Sequence, residues 1–262
     1  MNEARRPRAE VGCTVVTRRL AAAMIALAIA LAPAARADDH EEPPRRPSGA
    51  ECQGVPPPAL QGLADSGEQY EIHVRVLVEG VGSHRASELA ELAKKPYSQI
   101  GITLVYSFEQ VAFEGVEAED LLAQARERFG GVRPAGVDLV HLLTAKNVLY
   151  KGTDTYAGGA DCIGGIRFPE RGFSFSEDDP AVEQRNYYGV RPHPYWSAGI
   201  MAHEIGHEMG AHHHDGNCVE GATSDPLYPC TVMEPAIRFR GLNFGTAERT
   251  AIRALATESA RS

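Results

Sequence analysis

No apolar run in this 262-residue chain reaches the roughly 20 residues that a helix needs to cross a bilayer. The most apolar stretch, Leu20 to Leu31, is about a dozen residues, which disfavours an anchored form. Arg18-Arg19 precede it and Ala35-Arg36-Ala37 follow with the small-x-small pattern of a cleavage site, so residues 1–37 read as an export signal. Secretion to an extracellular or periplasmic space is expected, by a route the leader leaves open. Basic residues are also scarce, with 26 Lys and Arg against 35 Asp and Glu for a formal charge of −9. Loss of residues 1–37 removes six Arg and two Glu, leaving 20 basic and 33 acidic residues and a charge of −13. A negative surface repels nucleic acid and anionic lipid alike, so neither is an expected partner. A soluble monomer without stable membrane insertion is expected instead.

Cysteine is sparse as well. Of five, Cys13 would leave with the signal, and the remaining Cys52, Cys162, Cys218 and Cys230 are an even set, which in an exported chain reads as two disulfides. Three pairings are open. Cys218 with Cys230, which closes a short loop, and Cys52 with Cys162 are the expected pairs; metal ligation by Cys52 is the competing role. No internal repeat is present. The 225 residues after the signal suffice for one domain with a substantial core. Residues 38–67, rich in Pro, Glu and Arg, read as a flexible arm or short prosegment, and residues 68–262 as the domain.

Within that domain, strand and helix patterns alternate. Tyr70 to Glu79 reads as a strand with Ile72, Val74, Val76 and Val78 on one face, Ser87 to Lys95 as a helix and Gly101 to Phe108 as a strand. Val116 to Phe129 follows as a helix and Val137 to Thr144 as a buried strand. Such alternation predicts an α/β fold with a mostly parallel sheet packed on helices. Residues 170–190, with Glu177-Asp178-Asp179, read as a surface loop, and Thr246 to Thr257 as a closing helix. His141 reads as a satisfied core residue, and His73 and His84 carry no partner pattern.

The chemistry concentrates in His203-Glu204-Ile205-Gly206-His207-Glu208-Met209-Gly210-Ala211-His212-His213, which spells HExxHxxGxxH. On a helix, His203 and His207 project from nearly the same face one turn apart. The helix is expected to begin at Ser197 as N-cap, after Arg191-Pro192-His193-Pro194, and to end at Gly210. Glycine accepts the left-handed conformation, so Gly210 can turn the chain and bring His213 to the same point. Three neutral imidazoles at one point form a zinc site with an open position, and Glu204 lies where a general base would work. Ala198, Met201, Ala202, Ile205 and Met209 form the opposite, packing face. His212 and His214 are expected to be solvent-facing or to support the ligands, and Asp215 to orient a ligand or merely solvate its loop.

This motif, followed by Thr231-Val232-Met233-Glu234-Pro235, resembles the signature of the metzincin metalloproteases, with Met233 in the place of the family's Met turn. The wording is closest to the adamalysin or reprolysin branch, the ADAM-type catalytic domain. Cys230-Thr231-Val232-Met233 is similar to the run there, and residues 152–165, with Thr155-Tyr156-Ala157-Gly158-Gly159, resemble the edge strand that lines the cleft. Pro235 stands where the astacin and serralysin branches carry tyrosine, and His214 intervenes before Asp215, where adamalysins carry Asp directly after the third His. The resemblance implies a metzincin-like domain, a mostly parallel sheet with an antiparallel edge strand, and an active-site helix followed by the Met turn.

It also implies one catalytic zinc ion on His203, His207 and His213 and a protein or peptide substrate. Glu204 would take the proton of a zinc-held water as it attacks the carbonyl and pass it to the leaving amine. Substrate would pair with the backbone around Thr155 to Gly159, and residues 234–242 would wall a specificity pocket. Activity is expected to fall below about pH 6, where free imidazole protonates. A secreted zinc binder without turnover is the rival, which Glu204 disfavours because a scavenger needs no carboxylate there.

Overall fold

Alternation in β1 (Tyr70–Glu79) sends Ile72, Val74, Val76 and Val78 into one apolar core and Leu77 into another, so the strand is buried on both faces. A strand of this kind belongs inside a parallel sheet covered by helices on both sides. The computed structural model describes residues 68–154, 156–178, 196–213, 231–233 and 242–260. The expected signal, the arm, Cys52, Cys218, Cys230, His214 and Asp215 lie outside the described residues.

After β1 come α1 (Ser83–Ala93), the short α2 (Lys95–Ser98), β2 (Ile102–Gln110), α3 (Ala118–Glu127), β3 (Leu139–Thr144) and β4 (Gly158–Ala160). A 3₁₀ turn at Gly165–Arg167, β5 (Phe173–Glu177), α4 (Trp196–Glu208) and α5 (Thr246–Ser259) complete the described elements. The sheet order is β2-β1-β3-β5-β4. β1 pairs in parallel with β2 and β3, β3 pairs in parallel with β5, and β4 runs antiparallel to β5 at the edge. This is the mostly parallel sheet with an antiparallel edge strand that was expected.

Two cores flank the sheet. One joins β1 to α1, α4 and α5 through residues such as Leu89, Met201, Ile205, Ile252 and Leu255; the other joins Leu77, Val140, Leu142, Phe173 and Phe175 to Leu121 and Ala125 of α3. The metal-motif helix is therefore packed between the sheet and α1.

Several boundaries differ from the pattern. α1 opens at Ser83 rather than Ser87, because its first turn, Ser83-His84-Arg85, carries no apolar residue. The expected helix over 116–129 is α3, and the strand over 137–144 starts at Leu139, since Val137 closes a turn on the Pro134 carbonyl. Ser197 is not the N-cap of α4 but its second residue, buried inside the first turn.

The main correction is β5, placed where a surface loop was expected. Phe173 and Phe175 enter the second core, while Ser174 and Ser176 meet His141 of β3 at 2.9 Å and 2.8 Å. Its acidic end is consumed by protein contacts: Glu177 accepts from the Val148 N–H, and Asp178 pairs with Arg85. Acids in a run are a poor sign of exposure where, as for Glu177 and Asp178, a partner is waiting.

Candidate metal centre and active site

Every residue of α4 is buried, including the polar His203, Glu204, His207 and Glu208. Polar groups so placed must be satisfied or must hold something. His203 and His207 stand one turn apart with Nε2 atoms 3.0 Å from each other. Just past the helix, Gly210 has φ +87°. Its N–H donates to the His207 carbonyl at 2.8 Å, and the Ala211 N–H reaches back to the Gly206 carbonyl at 2.9 Å. These two bonds are the Schellman closure of a helix, which needs a left-handed residue at that position. The reversal returns His213, whose Nε2 lies 3.1 Å from those of both His203 and His207.

The outer nitrogens fix how these rings are protonated. His203 Nδ1 faces the Val232 carbonyl at 2.7 Å and His207 Nδ1 the Ala211 carbonyl at 2.8 Å. A carbonyl only accepts, so each Nδ1 bears the proton and each Nε2 turns a lone pair towards the other rings. Converging lone pairs repel unless a cation lies among them. Tetrahedral zinc at about 2.0–2.1 Å from each nitrogen would set the nitrogens about 3.3 Å apart, close to the spacing found. Among the described residues, His203, His207 and His213 are the group of three able to hold a metal ion. Burial, reinforced by His213, pushes the His203 imidazole down to about 3, and burial with His203 and His213 lowers His207 well below the usual histidine range. Both rings therefore stay neutral and able to bind metal in mild acid.

Glu204 is buried, and desolvation raises its carboxyl well above the ordinary range. Its neighbour across the cleft edge is Gly158 of β4, where an added Cβ would meet Glu204 Oε1 at 2.7 Å. Glu208, one turn on, is also raised by burial and by the Asp161 charge, and its Oε1 accepts from the Asp161 N–H at 3.2 Å. Met233 is buried with Sδ 2.8 Å from where a Gly206 Cβ would stand, so it lies directly against the ligand helix. Tyr97 donates to the Ala202 carbonyl at 2.7 Å and stacks edge-on against Phe244.

His203, His207 and His213 thus come together, Met233 lies against the helix that carries two of them, and Glu204 is the buried residue that follows His203 on it. His212 is partly buried and takes no place in the triad; Cys162 is buried, while its expected partner Cys52 and the pair Cys218 and Cys230 lie outside the described residues. Pattern reasoning missed the Val232 and Ala211 carbonyls, which orient the ligands but have no residue-type signature. It also missed Glu208, whose signal was only a carboxylate on a helix whose every side is covered.

Residues 95–214 match the family model described as Metallo-peptidase family M12B Reprolysin-like. No curated protein matches the chain. Among solved structures, it is similar to archaemetzincin from Archaeoglobus fulgidus, complexed with malonate, at 14% identity over 69% of this chain and 100% of that chain, with a TM-score of 0.44. Archaemetzincin from Methanopyrus kandleri is similar at 14% identity over 73% of this chain and 97% of that one, with a TM-score of 0.42.

Proposed function

We propose that this chain, whose residues 95–214 match the reprolysin-like metallopeptidase model, is a secreted zinc metalloendopeptidase, with His203, His207 and His213 as zinc ligands and Glu204 as base. The observation that carries this is the triangle of Nε2 atoms at 3.0–3.1 Å, built on a helix that also carries the buried Glu204. Zinc held there supplies Lewis acidity towards water and the scissile carbonyl.

The chain supplies the rest. Val232 and Ala211 keep the His203 and His207 rings in the tautomer that presents Nε2. Glu204 takes the proton of the attacking water and delivers it to the leaving amine, a task suited to a carboxyl whose affinity for protons burial has raised. β4 ends the sheet, with β5 on one side, so an extended peptide can add to it by backbone pairing. The side-chain pocket assigned to residues 234–242 falls almost wholly outside the described residues. Export through residues 1–37, action as a monomer, and the pairs Cys218–Cys230 and Cys52–Cys162 belong to the same proposal. N-terminal sequencing of secreted material and peptide mapping without reductant test the export and the bridges.

Hydrolysis of casein or gelatin by the zinc-loaded protein, against Glu204→Ala with its zinc content measured alongside, tests the activity. Loss of hydrolysis with zinc retained is expected. An active, zinc-loaded Glu204→Ala would remove Glu204 from its role.

A further inference from the structure

We propose that Gly158 is a positioning residue for the base: the bare backbone of the cleft-edge strand forms a notch that fixes where the Glu204 carboxylate sits. This rests on the assignment of Glu204 as the base. A Cβ at residue 158 would lie 2.7 Å from Glu204 Oε1, 2.8 Å from Glu204 Cγ and 2.7 Å from Ile200 Cγ2. Contacts that short are not tolerated, so something would have to move. Gly158 is absent from the glycines with positive φ, so space rather than backbone conformation calls for glycine here.

The strand cannot retreat. Gly158 pairs with Ser176 of β5, the Glu177 N–H holds the Ala157 carbonyl at 2.9 Å, and β5 is itself bonded to β3. On the other side α4 is fixed by burial along its whole length. An added methyl is therefore absorbed by the side chains of Glu204 and Ile200, which lie one turn apart on the helix face towards β4. The neighbouring Gly159 meets the Phe175 ring instead, on the opposite face of the strand, so the notch is specific to residue 158. The strand proposed to align substrate thus also sets the base, which keeps the carboxylate and the scissile bond in one frame.

The test is Gly158→Ala in the full-length, zinc-loaded protein. Displacing a reacting group by about 1 Å costs about 100-fold, so kcat should fall by that order while KM for an extended peptide stays within about threefold. Zinc stoichiometry and zinc affinity, measured by chelator competition, should match wild type. In a Glu204→Ala background the same substitution should cost no further activity, because both changes act through one group. Ile200→Ala with Gly158→Ala removes the apolar overlap and secures a folded variant; its kcat should stay low relative to Ile200→Ala alone. A raised KM with kcat intact, independent losses in the Glu204→Ala background, or full recovery with Ile200→Ala would each overturn the proposal. An inactive wild type would instead strike at the assignment of the base.

Discussion

A carboxylate buried as deeply as Glu204 holds its proton more tightly than a free one, whereas the buried imidazoles beside it hold theirs more weakly. The two effects separate what acid does to this site. Protonated free imidazole suggested loss of activity below about pH 6, but His203, lowered to about 3, stays neutral well under that pH. A bound cation would lower the ligating rings further and Glu204, which does not ligate it, less, so Glu204, raised by burial, is the group that titrates first on acidification, and once protonated it cannot accept from water. The acid limb of kcat should therefore run ahead of zinc release. Parallel assays of turnover and bound zinc from pH 7 to pH 4 check this, and coincident curves would assign the limb to the ligands instead. Loss of Glu204 itself should cost about 10²- to 10⁴-fold in kcat, the usual contribution of a positioned base.

At the scale of elements, the metal motif was legible because His203, His207 and His213 are local in sequence and the turn between them has a residue-type requirement. Gly210 meets that requirement at φ +87°, and a Cβ there would also stand 2.7 Å from Leu255 Cδ1 of α5. Gly210→Ala should destabilise the fold by about 1–3 kcal/mol through left-handed strain plus overlap. Expressed at the ligand turn, the same 1–3 kcal/mol should weaken zinc by about 5- to 100-fold, since each 1.4 kcal/mol is a factor of ten. Gly152→Ala separates the two causes: φ is +74° there with nothing within 4 Å, so it should show strain alone and normal zinc affinity.

β5 was not legible, because its partner is a residue on another strand. His141, buried between Ser174 and Ser176, is lowered to about 3 by desolvation, against about 6.5 in an unfolded chain. The unfolded state therefore takes up a proton that the folded state refuses. Stability from neutral His141 is complete above about pH 6.5 and declines towards pH 3, by at most about 1.4 kcal/mol per unit. Compared with His141→Asn at equal zinc loading, wild type should lose stability more steeply between pH 6.5 and 4.5, by one proton; parallel profiles would refute the linkage.

For the whole molecule, periodicity conveyed the sheet and helix order but not which side chains meet across it. The proximity of Gly158 to Glu204 and of Val232 to His203 depends on how β4 and the 231–233 segment close on α4, which no local pattern encodes. A metal held there would be a structural tie as well as a reagent. His203 and His207 come from α4 and His213 from beyond its end, so zinc there would tie the helix to the turn that follows it and, through the His203–Val232 bond, help to hold the 231–233 segment. A ligand bound only by the folded state stabilises by about 2.7 kcal/mol at a hundred times its dissociation constant. For a domain of this size that is a rise in Tm of roughly 5–11 °C. Chelation should lower Tm by this order, added zinc should restore it, and His213→Ala should lose most of the shift at the same free zinc. The measurement needs no substrate, so it tests convergence of the three imidazoles separately from catalysis: identical Tm with and without zinc in wild type would mean that the triangle of nitrogens does not bind the ion.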